Sequence, residues 1–165
     1  MPSTHTLTMT SVGESELLFT RDFDAPRTLV WEALTRPELI QRWLLGPDGW
    51  TMPVCEVDLR PGGRFRYVWR KGSRDMGMSG TFVEIVLPER IVHTELFDED
   101  WTGGETTVTT VLTEAAGRTT MSMTVRYGSA AARESALETG MVDGMSVTYD
   151  RLEAMIARGE IGARG

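Results

Sequence analysis

Cysteine and histidine are scarce in this chain, and their scarcity excludes several kinds of site. The 165 residues include one Cys, Cys55, and two His, His5 and His93. A single Cys excludes an internal disulfide and any metal cluster built on cysteine. The two His lie far apart in the sequence, so neither His-x-His nor Cys-x-x-Cys spacing is present. We therefore expect no metal site and no cofactor.

Long apolar runs are also missing. A membrane-spanning helix needs about 18 consecutive apolar residues, whereas the apolar runs here are triplets such as Leu17-Leu18-Phe19 and Ile85-Val86-Leu87. The segment Met1–Ser11 is polar and rich in Thr, without the cationic start and apolar stretch of a signal peptide. The sequence therefore predicts a cytoplasmic protein with no membrane partner.

Basic residues are in the minority. Lys and Arg together number 17 against 24 Asp and Glu, which gives a formal net charge of -7. An acidic protein repels the phosphate backbone of nucleic acids. We expect no nucleic-acid partner.

Methionine, in contrast, is abundant, with 10 Met against 5 Phe. Met is unbranched and polarizable, so it fills irregular space and lines surfaces that adapt to varied apolar ligands. Both an adaptable core and the wall of a ligand cavity are consistent with this composition.

Residue periodicity divides the chain into a strand, two short helices, six further strands and one long helix. Residues 1–14 show no periodicity, and we expect a flexible tail there. Alternation over residues 17–23 predicts a strand. Pro26 and Pro37 are placed to open two short helices after it, because the first turn of a helix does not need their missing N–H groups.

From residue 52 onward the chain changes period twice. After the turn signal Pro61-Gly62, Phe65, Tyr67 and Trp69 alternate with polar residues, which predicts one apolar face. After Gly128 the apolar residues recur with the period of a helix, and we expect one continuous helix from Ser129 to Arg158. Its apolar stripe consists of Leu137, Met141, Met145, Thr148, Tyr149, Leu152 and Ile156.

Together these elements predict an α+β fold. The long helix is the one element large enough to cover the apolar face of six consecutive antiparallel strands. We expect a curved antiparallel sheet of about seven strands wrapped around this helix, with the two short helices after the first strand. Residues 15–158 form the predicted single domain, and residues 159–165 a flexible tail. A sheet curled around one helix leaves room between them for a small ligand.

Several short motifs resemble one known family. In chain order they are Phe23-Asp24-Ala25-Pro26, Val30-Trp31-Glu32-Ala33-Leu34-Thr35, Pro37-Glu38-Leu39 with Trp43, Gly46-Pro47, Asp58-Leu59-Arg60-Pro61-Gly62-Gly63, Gly80-Thr81 and Pro88-Glu89-Arg90-Ile91-Val92. They resemble the family named after the C-terminal domain of the activator of heat-shock protein 90 ATPase. That family belongs to the START-like helix-grip superfamily, which includes the birch-pollen-allergen fold. The resemblance covers residues 16 to about 157.

The resemblance implies a fold with a cavity but no single activity. Within the superfamily some proteins bind apolar small molecules, some act in polyketide cyclisation, and the eukaryotic namesake of the family binds a chaperone. Many members carry Gly-Trp in the last helix, where this chain has Gly144-Met145, and aromatic residues where it has His93 and Glu95. Both departures alter the expected cavity wall.

His93 and Glu95 are the candidates for chemistry. They are two residues apart on a predicted strand and therefore share a face. Glu84 is expected to join them from the neighbouring strand. A His beside a carboxylate in an apolar setting suits acid–base catalysis, but it equally suits a ligand-orienting pair or a structural hydrogen bond.

Three functions follow from these observations. The first is a cytoplasmic binding protein for a small apolar or aromatic molecule, whose expected wall is Phe65, Tyr67, Trp69, Met78, Phe82, His93, Glu95, Met121, Met123, Met141, Met145 and Tyr149. The second is a co-chaperone-like module, binding a chaperone or other protein through the basic stripe Arg64, Arg66 and Arg70. The third is an acid–base enzyme of cyclase or hydrolase type using His93 with Glu84 or Glu95.

Gly140 and Gly144 lie on one side of the predicted helix, four residues apart. Each weakens a helix interior by about 0.8–1 kcal/mol relative to Ala. A groove that widens the cavity and close packing of the helix on the sheet are equally compatible with this spacing.

Overall fold

The computed structural model describes residues 6–99 and 103–161, so His5 lies outside the described residues. Within these residues, no helix is both long enough and apolar enough to cross a membrane. In chain order the elements are β1 (Thr8–Val12), β2 (Glu16–Phe23), α1 (Arg27–Thr35), α2 (Pro37–Trp43), β3 (Thr51–Val57), β4 (Arg64–Lys71), β5 (Arg74–Val86), β6 (Arg90–Phe97), β7 (Thr106–Ala115), β8 (Arg118–Arg126), α3 (Ala130–Leu137) and α4 (Met141–Ala157).

The strands form one antiparallel sheet in the order β1-β2-β8-β7-β6-β5-β4-β3. From β3 to β8 each strand pairs with the next along the chain. The early strand β2 instead pairs with β8, the last strand. Helices α1 and α2 follow β2 in sequence and connect it to β3, which is the edge strand on the side of the sheet opposite β1.

One face of the curved sheet is buried, and α4 lies against it. Alternate residues of β4 (Phe65, Tyr67 and Trp69) are buried, as the alternation predicts. Tyr149 of α4 packs between the sheet and α2, since its ring centroid lies 6.3 Å from that of Phe23 and 5.4 Å from that of the indole of Trp43. The predicted α+β helix-grip fold is confirmed.

The sheet has eight strands among the described residues, where the sequence predicts about seven. The additional strand is β1, at residues 8–12 of the expected flexible tail. It pairs with β2 in the register Thr8↔Thr20 to Val12↔Glu16. An edge strand is held by backbone hydrogen bonds, so it forms without the apolar alternation that sequence analysis relies on.

The predicted continuous C-terminal helix is wrong, because the chain breaks it into α3 and α4. Gly140 takes a left-handed conformation at the junction, with φ of 79°. Glycine adopts this conformation without the steric cost that other residues carry. The predicted start is correct: the Ser129 hydroxyl accepts a hydrogen bond from the Ala132 amide at 3.0 Å.

The expected loose tail after residue 158 also begins differently. Ile161 is 3% exposed and belongs to the core cluster. Glu160, beside it, pairs with Arg42 of α2 and with Arg158. The chain therefore packs against the domain as far as residue 161, and residues 162–165 lie outside the described residues.

Candidate functional site

A cavity of about 620 Å³ lies between the buried face of the sheet and α4. Its volume falls in the range of about 300–1,000 Å³ that is usual for small-molecule sites. Strands β4 to β8, the loop after α2 and the α3–α4 junction all contribute to its wall. The structure places all twelve residues of the predicted wall around it: Phe65, Tyr67, Trp69, Met78, Phe82, His93, Glu95, Met121, Met123, Met141, Met145 and Tyr149.

An aromatic row along β4 forms one side of the cavity. The ring centroids of Phe65 and Tyr67 are 5.0 Å apart, and those of Tyr67 and Trp69 are 5.8 Å apart. Alternate residues of a strand point to the same face, so three aromatic residues at this spacing make one continuous apolar surface. Rings at these separations also stabilise one another.

Gly80 on β5 leaves room for the aromatic row of β4 to contact β6, the strand on the other side of β5. It stands opposite Phe65 in the sheet. A Cβ atom added at Gly80 would lie 2.4 Å from the Phe65 ring and 1.9 Å from the backbone oxygen of Thr94. Because the glycine leaves this space free, the Phe65 ring packs edge-on against His93 of β6, at 5.3 Å between centroids. Sequence analysis named Gly80 within a family motif but did not predict this role, because glycine carries no chemistry of its own.

His93 and Glu95 form a polar pair on the cavity wall. The His93 Nε2 atom lies 3.0 Å from the Glu95 Oε2 atom. Their side chains are 17% and 26% exposed, respectively. The His93 Nδ1 atom is buried and has no hydrogen-bond partner among the described residues. The pair is therefore held by one hydrogen bond in surroundings that are otherwise largely apolar.

Glu84 does not join this pair, and the expectation that it does is wrong. A β-bulge lies between Phe82 and Glu84, since Phe82 stands opposite His93 while Glu84 stands opposite Val92. The extra residue reverses the alternation of side chains. Glu84 is consequently exposed, and its carboxylate accepts a hydrogen bond from Arg90 on the surface.

Three tyrosine hydroxyls add to the polar part of the cavity. Burial, followed by the negative charge of Glu95, raises the pKa of Tyr127 to about 12. Burial is also the largest cause raising the pKa of Tyr67 and of Tyr149, and Glu95 acts in the same direction on both. The Tyr127 hydroxyl donates to the sulfur of Met141 at 3.4 Å, and the Tyr149 hydroxyl lies 3.8 Å from that of Met123. Thioether sulfur is a weak acceptor, so both hydroxyls retain the capacity to bind a ligand.

The loop between α2 and β3, residues 44–50, closes one end of the cavity and contributes Trp50 to its wall. The Gly46 amide donates to the Thr148 hydroxyl of α4 at 2.9 Å. Arg151 of the same helix donates to the backbone oxygens of Trp43 and Gly46, both at 3.1 Å. Sequence analysis missed this loop as part of the wall because it has no periodicity to indicate which way its residues point. It also missed Tyr127, which directly follows β8.

Residues 24–157 match the model of a family described as activator of Hsp90 ATPase homolog 1-like protein. The chain belongs to this family. The match covers most of the chain, and the resemblance inferred from its motifs is confirmed.

Solved structures of bacterial proteins support the same assignment. A protein of Rhodobacter sphaeroides is 34% identical with a TM-score of 0.88, and the alignment covers 93% of this chain and 99% of that one. Proteins of Nitrosomonas europaea and Mycobacterium smegmatis are 26% and 25% identical with TM-scores of 0.79 and 0.77. These alignments cover 91% and 90% of this chain and 99% and 96% of the other two chains. No curated protein matches the chain.

Membership of the activator of Hsp90 ATPase homolog 1-like family suggests a ligand-binding or co-chaperone-like module. The basic stripe expected to serve the second role is largely neutralised by its own neighbours. Arg66 donates to both oxygens of Asp98 at 3.1 and 2.7 Å, and Arg70 to both oxygens of Asp75 at 2.8 and 3.1 Å. These hydrogen bonds hold the pKa of each carboxyl below its usual range. Arg64 is exposed beside them.

The two helix glycines line the cavity but play different parts. Gly140 ends the turn between α3 and α4, whereas Gly144 lies inside α4. A Cβ atom added at Gly144 would meet Pro47 at 3.7 Å, an ordinary contact distance. Gly144 therefore faces the loop at the cavity end, and close packing of helix on sheet does not explain it.

The described residues contain no group of three His, Cys, Asp or Glu side chains placed to hold a metal ion.

Proposed function

We propose that the protein binds a small apolar or aromatic molecule in the cavity between the sheet and α4. The observation that carries this proposal is the cavity itself, about 620 Å³ in volume and lined mainly by aromatic, aliphatic and methionine side chains. Methionine supports binding of varied apolar shapes, because its side chain repacks at low cost.

The polar pair His93–Glu95 fits this proposal as an orienting feature. Cavities of this kind combine an apolar wall with a few placed polar groups that fix the direction of the ligand. The pair also places a candidate general base, His93, 3.0 Å from a carboxylate oxygen that can orient its ring. Mass analysis of a compound recovered after binding would reveal its turnover.

The first experiment looks for the ligand directly. Native mass spectrometry of freshly purified protein, compared with the denatured protein, would reveal a co-purified small molecule as a mass difference. In parallel, a panel of apolar and aromatic compounds is screened by thermal denaturation. A compound that binds the folded state alone stabilises it by about 2.7 kcal/mol at 100 times its Kd, which raises the melting temperature visibly.

The second experiment places the binding in the cavity. Met145→Trp adds an indole on the cavity side of α4, where Met145 lines the wall. The matched control, Val147→Trp, adds the same ring on the outer side of α4, where Val147 is 40% exposed. We expect Met145→Trp to fold but to lose the ligand-induced rise in melting temperature, and Val147→Trp to retain it. Equal shifts in both variants, or no shift with any compound and no co-purified mass, would refute the proposal.

A further inference from the structure

The charged groups of the cavity are unevenly placed. Among the described residues of its wall, four side chains are acidic or basic, namely Arg74, His93, Glu95 and Glu99. Arg74 and Glu99 are 65% and 73% exposed and face each other at 3.7 Å, so they lie at the mouth and offset one another. His93 and Glu95 are mostly covered and lie within the cavity. The interior therefore contains one carboxylate and no guanidinium or ammonium from the described wall.

One hydrogen bond joins the side chains of His93 and Glu95. A proton on Nε2 is shared with the Glu95 carboxylate at 3.0 Å. The Nδ1 atom is buried without a partner among the described residues. The Glu95 carboxylate therefore contacts His93 and is paired with no Arg or Lys of the described wall.

The negative charge of Glu95 acts on tyrosine hydroxyls on several sides of the cavity. It contributes to the raised pKa of Tyr67, Tyr127 and Tyr149, which lie on β4, after β8 and on α4. The aromatic row of β4 lines the same space, and the π-systems of its rings carry partial negative charge on their faces. A carboxylate and aromatic rings around one apolar space make a surface complementary to an organic cation.

We propose that the ligand is an aromatic or aliphatic amine whose ammonium group pairs with Glu95 while its apolar part lies along Phe65, Tyr67 and Trp69. This inference rests on the proposed binding function and gives it a ligand class. It excludes fatty acids and aromatic carboxylates, because their negative charge would be buried beside that of Glu95 without a cation from the described wall.

The test compares three compounds that share one ring system and differ in one group: 2-naphthaleneethylamine, 2-naphthaleneethanol and 2-naphthaleneacetate. Dissociation constants are measured near neutral pH by calorimetry with the parent protein. We expect the amine to bind at least about tenfold more tightly than the alcohol, and the acetate to bind most weakly. An alcohol or acetate that binds as tightly as the amine would overturn the inference.

Two variants assign the preference to Glu95. Glu95→Gln removes the charge and keeps the size, and we expect its amine and alcohol affinities to become equal within about threefold. Glu84→Gln is the matched control, a carboxylate on the neighbouring strand that is exposed outside the cavity wall. It should retain the amine preference. Equal loss in both variants would contradict the assignment to Glu95, and the ranking of the three compounds by the parent protein tests the inference even if Glu95→Gln fails to fold.

The outcomes separate this inference from the proposed function. Binding of neutral apolar compounds without any preference for the amine would refute the ligand class and leave the cavity as the binding site. If other apolar compounds raise the melting temperature but the amine does not bind, the ligand class is likewise refuted and the cavity is left as the binding site. Failure of every compound in both experiments would refute the proposed function and this inference together.

Discussion

Arg21 is an unusual residue for a core, because its charged side chain is fully buried. It lies on the inner face of β2 and its side chain is 0% exposed. Its guanidinium donates to Asp150 at 2.8 Å and to Glu153 at 3.2 Å, both on α4. The two carboxylates are 66% and 35% exposed, so water partly solvates them. The Arg21 guanidinium is out of contact with water, and these carboxylates balance its charge. The guanidinium also lies 5.7 Å from the centre of the Phe23 ring.

This asymmetry predicts unequal effects of removing the two sides of the ion pair. Asp150→Asn combined with Glu153→Gln leaves a buried cation without a counter-charge, and we expect the free energy of unfolding to fall by about 3 kcal/mol. Arg21→Met leaves two carboxylates that water can reach, and we expect a loss of about 1.5 kcal/mol or less. Urea denaturation measures both. A larger loss for Arg21→Met than for the double variant would contradict the argument.

At the scale of elements, the α3–α4 junction is where the structure differs most from the helix that the sequence predicts. As part of one helix, Gly140 would be a weak point that alanine improves. In the structure its φ is 79°, and a Cβ atom added there would meet nothing within 4 Å. The cost of a substitution at this position therefore comes from the backbone conformation alone.

Alanine substitutions at the two helix glycines should consequently have effects of opposite sign. We expect Gly140→Ala to lower the free energy of unfolding by about 1 kcal/mol, because alanine is strained in the left-handed conformation. We expect Gly144→Ala to raise it by about 0.5–1 kcal/mol through helix propensity, since its added methyl group would make an ordinary contact with Pro47. Thermal and urea denaturation of both variants test this. Stabilisation by Gly140→Ala would indicate a continuous helix.

For the whole molecule, the dependence of stability on alkaline pH follows from three buried tyrosine hydroxyls and one partly buried cysteine thiol. Burial is the largest cause raising the pKa of Cys55 and of Tyr127, each to about 12, and it also raises the pKa of Tyr67 and Tyr149. In the unfolded chain a tyrosine loses its proton near pH 10 and a cysteine near pH 8.5. Between those values and the folded pKa the unfolded state binds fewer protons, so stability falls as pH rises.

We therefore expect the melting temperature to be steady up to about pH 8.5 and to fall steeply above about pH 10. Thermal denaturation across this range measures it, and tyrosinate absorbance shows whether the rings ionise as the protein unfolds. Tyr149→Phe removes one of the four groups and should make the fall shallower. Ionisation of all the tyrosines near pH 10 in a protein that stays folded would contradict the prediction.

The amino-acid sequence by itself determined the class of fold and twelve residues of the cavity wall. Alternation along Phe65, Tyr67 and Trp69 is a local property of a strand, and it fixed which side chains share a face. The helical period after Gly128 likewise fixed the stripe that contains Met145 and Tyr149. A wall residue on a regular element can be found this way because its direction follows from its neighbours in the chain.

The tertiary structure alone decided the remaining features, because they depend on residues that are distant in sequence. A bulge beside Val83 turned Glu84 outward, and a one-residue shift of this kind leaves no mark in the alternation. The conformation of Gly140 broke the predicted helix, although glycine is also compatible with a helix interior. The loop at residues 44–50 became a cavity wall through its hydrogen bonds to α4, and β1 formed through backbone pairing with β2. Local periodicity does not encode these contacts, which depend on where the packed sheet and helices bring the backbone together.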